Sequence, residues 1–297
     1  MNESCAGEAK MAPGALTDES AFKSAMRSQW DAAAPGWNSH TPKIRAWLGP
    51  ATDAMLGMAG VALGSRVLDV AAGTGDQTLA VAERVGPQGY VLATDLSPAV
   101  VALAKANAVR AGFANVHAQV ADGENLQVEA ASFDAAVCRL GLMFFPDPLR
   151  GLREIHRALR PAGGVCTMVF STSDRNPCLT ILMSTALKHA GLPPLDPALP
   201  GGLLSLGQPG RIDGLFKAAG FRDVATTAIN APFRLASVQD YLAFVRSSAS
   251  PVQQILGRLD QEAADAAWGE IEERLSAFTT PRGWEGPNEL LLTAGRR

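Results

Sequence analysis

Apolar and polar positions alternate along this chain between short apolar runs and longer amphipathic stretches. Val67 to Val70 is mostly apolar with β-branched members, as suits a strand buried on both faces of a parallel sheet. Small residues with Gly73 and Gly75 follow, and then a helix-like run from Gln77 to Ala82. The same rhythm predicts strands near 66–70, 90–94, 115–119, 134–138, 164–170, 222–229 and 289–295. Helices are expected near 76–85, 97–111, 148–159 and 210–219. Ser97-Pro98 supplies a cap and a proline at a first helical position, and Pro161 to Gly164 stops a helix before a strand. Strand–helix alternation implies an α/β fold with parallel pairing, right-handed crossovers and helices on both faces.

The flanks read differently. Residues 1–20 are small and polar, the composition of a disordered leader. From Ala21 to Trp47 the pattern is helical, with breaks expected at Pro35-Gly36 and Pro42, and Ala51 to Ala62 reads as a further helix. Two stretches exceed a minimal sheet plan: about 171–208, and about 231–286 with amphipathic helices at 237–245 and 251–275. Ligands of open α/β sheets sit beyond the carboxyl ends of the strands, so these insertions are expected to cap a substrate there. The domain reading is thus a leader, an N-terminal helical lid over 21–61, and one sheet domain over 62–297.

Composition narrows the function classes. At 297 residues and 47% hydrophobic the chain can bury a sizeable core, and a net charge of −3 gives no support for nucleic-acid binding. No apolar run is long enough for a membrane span, and the N-terminus lacks the pattern of a signal peptide. Cys5, Cys138, Cys166 and Cys178 have no metal-type spacing, so no metal is expected and reduced thiols in the cytoplasm are the reading. A homodimer is left open as the assembly.

The chemistry concentrates where the first strand meets its helix. Dinucleotide sites spell G-x-G-x-x-G; here the order is Asp69-x-Ala71-x-Gly73-x-Gly75, without a third glycine, which disfavours a nicotinamide-dependent dehydrogenase. Asp76 at the helix start would repel a pyrophosphate. A ligand with a sulfonium and an α-amino group fits better. Asp95 ends the second strand about twenty residues on, as recognition of ribose hydroxyls requires. Asp122 closes a further short strand.

With those residues in view, the chain resembles a class I S-adenosylmethionine-dependent methyltransferase of the ubiquinone/menaquinone-biosynthesis type (methyltransferase type 11/25). Asp69-Val70-Ala71-Ala72-Gly73-Thr74-Gly75-Asp76, Phe133 to Arg139, Phe144-Phe145-Pro146-Asp147 and Leu159 to Gly164 carry the resemblance, strongly over about 62–170. It implies a Rossmann-like seven-stranded, mostly parallel sheet with a helical lid and helical insertions, and S-adenosyl-L-methionine as cofactor. By position it implies Asp95 on the ribose, Leu96 beside the adenine, Asp122 and Gly123 at its amine, and Arg139 at the methionine moiety. Trp37 would face the pocket from the lid, and Asp69, Ala71, Gly73, Gly75 and Gln77 complete the cofactor set. The acceptor is read as a small, largely apolar or aromatic metabolite. No catalytic residue stands out beyond His40 and His189 as candidate bases, while His117 and His156 read as structural. A non-catalytic module that binds the same cofactor and acts through partners is the alternative.

Overall fold

The computed structural model describes residues 19–196, 199–248 and 250–297. Nearly all of the expected leader lies outside those residues. Two helices come first, α1 (Glu19–Ser39) and α2 (Thr41–Ala59). The alternation then runs β1 (Arg66–Val70), α3 (Asp76–Val85), β2 (Tyr90–Asp95), α4 (Pro98–Arg110), β3 (Val116–Val120), β4 (Phe133–Arg139), α5 (Pro148–Ala158) and β5 (Leu159–Phe170). After α6 (Pro177–His189) come α7 (Arg211–Ala218), β6 (Arg222–Asn230) and a short β7 (Phe233–Leu235). The chain continues through α8 (Val238–Ser248), α9 (Ser250–Leu256), α10 (Gln261–Ser276), β8 (Thr279–Thr280), β9 (Gly283–Gly286) and β10 (Glu289–Arg296).

The main sheet has seven strands in the order β3-β2-β1-β4-β5-β10-β6. Its first five are parallel, and β10 runs antiparallel to both neighbours. This is the Rossmann-like, mostly parallel sheet that the sequence pattern predicts. β1 owes its central place to its residues: Val67, Leu68, Asp69 and Val70 are all buried, as both faces are covered by helices. No helix among the described residues is long and apolar enough to cross a membrane.

Three sequence expectations need correction. Proline 35 does not break α1, which runs on to Ser39. Gly36 is a contact residue rather than a hinge: a Cβ there would lie 1.8 Å from the Ser247 carbonyl oxygen, so its absence lets α1 lie against α8. The real break is at His40, and Pro42 sits in the first turn of α2, where a missing N–H costs little. Second, the helix expected at 51–62 is the latter half of α2, which passes through Pro50. Its Ile44, Leu48, Met55 and Leu56 are fully buried, and α2 packs against β4 and β5. Third, the amphipathic stretch at 251–275 divides into α9 and α10. Asp260 starts α10 by accepting from the Ala263 amide at 2.8 Å.

The second insertion also builds a small antiparallel sheet, β7-β9-β8. Its anchor is Trp284, 1% exposed, which donates from Nε1 to the Leu275 carbonyl at 2.8 Å and stacks on Tyr241 at 4.4 Å. Trp284→Ala should therefore lower stability by about 3–5 kcal/mol, read from urea unfolding. Trp284→Phe keeps the stacking and should lose less.

Candidate functional site

The turn after β1 is built from left-handed residues: Ala71 at φ 54°, Gly73 at φ 58° and Gly75 at φ 92°. For alanine that conformation costs about 1–2 kcal/mol, so the surrounding structure must hold it. The two glycines have different reasons. A Cβ on Gly73 would meet only Trp37 Nε1, 3.8 Å away, so its open side faces a cavity. A Cβ on Gly75 would come within 3.1 Å of the Ala104 Cα, so that glycine lets α3 and α4 approach.

Acids hold this corner. Asp69 is fully buried behind the cavity and is not among the residues that line it. It accepts from Thr78 Oγ1 at 2.6 Å and from Gln77 Nε2, binding the end of β1 to the start of α3. Burial pushes its carboxyl up to about 7, against the pull of those two donors. Asp95 does line the cavity. Its Oδ2 accepts from the Gly73 amide and its Oδ1 from the Ser97 amide, both at 3.1 Å, and burial raises its pKa as well.

A second acidic group closes the far end. Asp122 Oδ1 accepts from the Glu124 amide at 2.9 Å, and Oδ2 accepts from Lys23 Nζ of α1 at 2.8 Å. The same ammonium lies 2.5 Å from Glu124 Oε2, whose side chain is wholly buried. Burial would pull Lys23 down, but Asp122, Glu124 and Glu19 together hold it above the usual lysine range. Nothing in the sequence pattern singles out Lys23, which sits on one face of an ordinary amphipathic helix.

Arg139 reaches the cavity from the end of β4, 8% exposed. Its Nη2 donates to Asp76 Oδ2 at 2.9 Å and its Nη1 to Thr52 Oγ1 at 2.8 Å, while Arg45 Nε meets Asp76 Oδ1 at 3.1 Å. Asp76 thus spends its charge on two guanidinium groups.

The cavity, of about 210 Å³, opens at the carboxyl ends of β1, β2, β4 and β5. Of the expected ligand residues, Trp37, Ala71, Gly73, Gln77, Asp95, Leu96, Asp122, Gly123 and Arg139 line it together; Asp69 and Gly75 do not. Its charged side chains cluster at the strand ends. The rest of its lining is largely apolar, with Trp47 and Leu48 of α2, Phe170 at the end of β5, Leu182 of α6 and Val252 of α9. α1 contributes Phe22, Lys23, Met26, Trp30 and Trp37 to the lining. Trp30 stands edge-on to Trp37 (6.1 Å) and to Phe144 (5.7 Å), and Asp31 accepts from Ser97 Oγ at 2.5 Å.

Neither candidate base faces this space. His40 Nε2 lies 2.8 Å from Ser247 Oγ with its ring edge-on to Phe244, and burial pushes its pKa down. His189 Nε2 lies 2.9 Å from Glu270, at the outer end of α6. His117 stacks on Tyr90 and His156 packs against Phe221, away from the cavity.

Residues 67–163 match the family model described as a methyltransferase domain. Over 102 residues the chain is 38% identical to demethylmenaquinone methyltransferase of Staphylococcus epidermidis, an alignment covering 34% of this chain and 42% of that protein. The chain thus spans about two fifths of the length of the curated relatives it matches. Among solved structures it is similar to the YcgJ protein of Bacillus subtilis, 19% identical with a TM-score of 0.57, over 84% of this chain and 98% of that one. It is also similar to phosphoethanolamine N-methyltransferase 2 of Haemonchus contortus, 18% identical with a TM-score of 0.55, over 88% and 58% of the two chains. At those identities the likeness to both structures is one of fold.

The buried clasp at Asp69 generates a pH dependence. An unfolded aspartate releases its proton near pH 4, while folded Asp69 keeps it until about pH 7. Its stabilising contribution is complete below pH 4 and is lost as pH rises through that window. Urea unfolding at a series of pH values should show wild-type stability falling relative to Asp69→Asn by about 1.4 kcal/mol per pH unit between roughly pH 4.5 and 7. A constant difference across that range would refute the assignment.

Proposed function

We propose, from the premise that residues 67–163 are a class I S-adenosylmethionine-dependent methyltransferase domain, that the whole chain methylates a small, largely apolar or aromatic metabolite. The observation that carries the reading is Asp95. It stands in the cavity wall at the end of β2, bound to the amides of Gly73 and Ser97 and facing the open side of the glycine turn. A carboxylate so held is a fixed acceptor for a pair of ribose hydroxyls.

The residues fit the cofactor in other respects. Gly73 leaves a cradle that a side chain would fill, and Leu96 offers an apolar flank for a base. Asp122 and the Gly123 backbone stand at the end where an exocyclic amine would be read. Ala71, Gln77, Arg139 and Trp37 surround the place of the methionine portion, with Asp69 and Gly75 shaping the corner from behind. When bound, S-adenosylmethionine supplies a methyl carbon that is already activated. The chain's part is to align and enclose, and alignment alone can supply much of the acceleration of such a transfer.

The apolar part of the lining, with Trp47, Leu48, Phe170, Leu182 and Val252, is the acceptor's side. Its indole, phenyl and alkyl groups favour an acceptor that gains by leaving water. α1 acts as a lid, carrying Trp30 and Trp37 across the mouth to exclude water. The chain works in the cytoplasm, a placement supported by the unpaired buried thiols of Cys138, Cys166 and Cys178.

Calorimetry with S-adenosylhomocysteine tests the donor site. Asp95→Ala should weaken binding ten- to a hundred-fold, the worth of about 1.5–3 kcal/mol in hydrogen bonds to a charged group. Unchanged affinity in a variant with native far-ultraviolet dichroism would sink the assignment. Labelled donor with a panel of apolar aromatic metabolites then identifies the acceptor; tight donor binding with no product from any of them favours a binding module instead. Deleting residues 1–39 tests the lid. Since α2 and the sheet keep their packing, turnover should drop far more than the melting temperature, and a truncated protein with full turnover would end the lid reading.

A further inference from the structure

On the other side of Trp47 from the main cavity lies a second hollow of about 150 Å³, open to solvent between the exposed Ala46, Pro50, Asn230 and Arg234. Ala46, Pro50 and Ala51 of α2 line one side of it, and Ile229 to Pro232 with Arg234 line the other. Trp47 is the one described residue that lines both cavities. Leu48, the next residue along α2, faces the main cavity, so the helix turns its small residues to one space and an apolar wall to the other.

The indole of Trp47 is pinned in that position. Its Nε1 donates to the Ala231 carbonyl at 2.7 Å. One face lies parallel to Phe233, 4.6 Å away at an angle of 8°, and the ring also stacks with Phe170 at 6.3 Å and 23°. Phe233 is itself buried in the small sheet's first strand, and Phe170 ends β5 in the wall of the main cavity. The ring is therefore a fixed partition, held on the cap side by a hydrogen bond and a stacked ring, and on the sheet side by another.

We propose that Trp47 is the end wall of the acceptor chamber and sets the length of the longest apolar acceptor the protein takes. The inference rests on the reading that the main cavity holds donor and acceptor together. An apolar tail gains roughly fourfold in affinity for each methylene it buries, as long as there is room for it. At Trp47 the room ends. The next carbon would have to displace an indole whose N–H and face are both engaged, although open space lies directly behind it.

The test is a series of 4-n-alkylphenols, from methyl to octyl, titrated by calorimetry into protein saturated with S-adenosylhomocysteine. In the wild type, affinity should rise by roughly fourfold per methylene to a limiting length and then stop rising or fall. Trp47→Ala joins the two cavities and should move that limit outward by several methylenes. Trp47→Leu, a second opening variant should alanine cost the fold, should move it in the same direction. Trp47→Phe keeps a wall without the hydrogen bond and should leave the limit where it is. An unmoved limit in the opened variants overturns the proposal. So does a wild-type series that tightens without limit through octyl, and so does a lack of binding by every phenol while S-adenosylhomocysteine binds. Failure of S-adenosylhomocysteine to bind the wild type would be a different result, since it removes the donor reading on which the chamber depends.

Discussion

A carboxyl group at the end of a buried strand costs much to desolvate when charged, and the corner of this protein is built around one whose partners offset only part of that cost. Asp69 is fully buried, and its two oxygens take the hydroxyl of Thr78 and the amide of Gln77. Its backbone carbonyl accepts from Thr94 Oγ1 at 3.2 Å, which fastens β1 to β2 as well. That clasp ties the first turn of α3 to the strand before it. Together with the Asp95 bond to the Gly73 amide and the Asn107 Nδ2 bond to the Thr74 carbonyl at 2.7 Å, it holds the left-handed alanine and glycines between them. Asp95 repeats the device one strand over, with amides of the turn and of α4 as its partners. One acid holds the corner from behind, and the second can face the cavity because the first does not.

The sheet was legible in the sequence because burial on both faces leaves a plain signal. Val67 to Val70 and Tyr90 to Asp95 stand out as apolar runs closed by turn residues or an acid, and the strands lie where those runs fall. The glycine turn was legible as a ligand corner, but its two glycines were not separable. Only the position of Ala104 tells that Gly75 serves helix packing. Local rules misled at Pro35-Gly36, where contact with α8 outweighs the break that the pair signals elsewhere. The histidines are a separate case, since His40 and His189 are not among the residues that line the cavity. Whether an imidazole faces a cavity or a surface glutamate depends on how the helices dock, and no spacing in the chain encodes that.

Lys23 belongs to the same class of unreadable contact. Ninety-nine residues separate it from Asp122, yet it supplies the positive charge beside a buried glutamate and its neighbour. Those acids follow the end of β3, and their counter-charge sits on α1, another element that lines the cavity. The arrangement ties the electrostatics of one end of the site to the position of α1. A surface ion pair would be worth little, but Glu124 is buried against α1, and besides the Lys23 ammonium it has the Asp147 amide, which donates to its Oε1 at 2.7 Å.

The place of β10 bears on how the polypeptide is made. This strand lies between β5 and β6, both of which precede it in sequence, and pairs antiparallel with each along nearly its whole length. While the ribosome is still adding residues 231–288, β6 has no strand to join and β5 has an unpaired edge. The hydrophobic side chains Leu290 and Leu292, fully buried in the finished sheet, arrive after both of the strands they join. The nascent protein therefore carries an open, aggregation-prone edge through the synthesis of its entire cap, and sheet closure is a step that follows translation of that region rather than one that accompanies it.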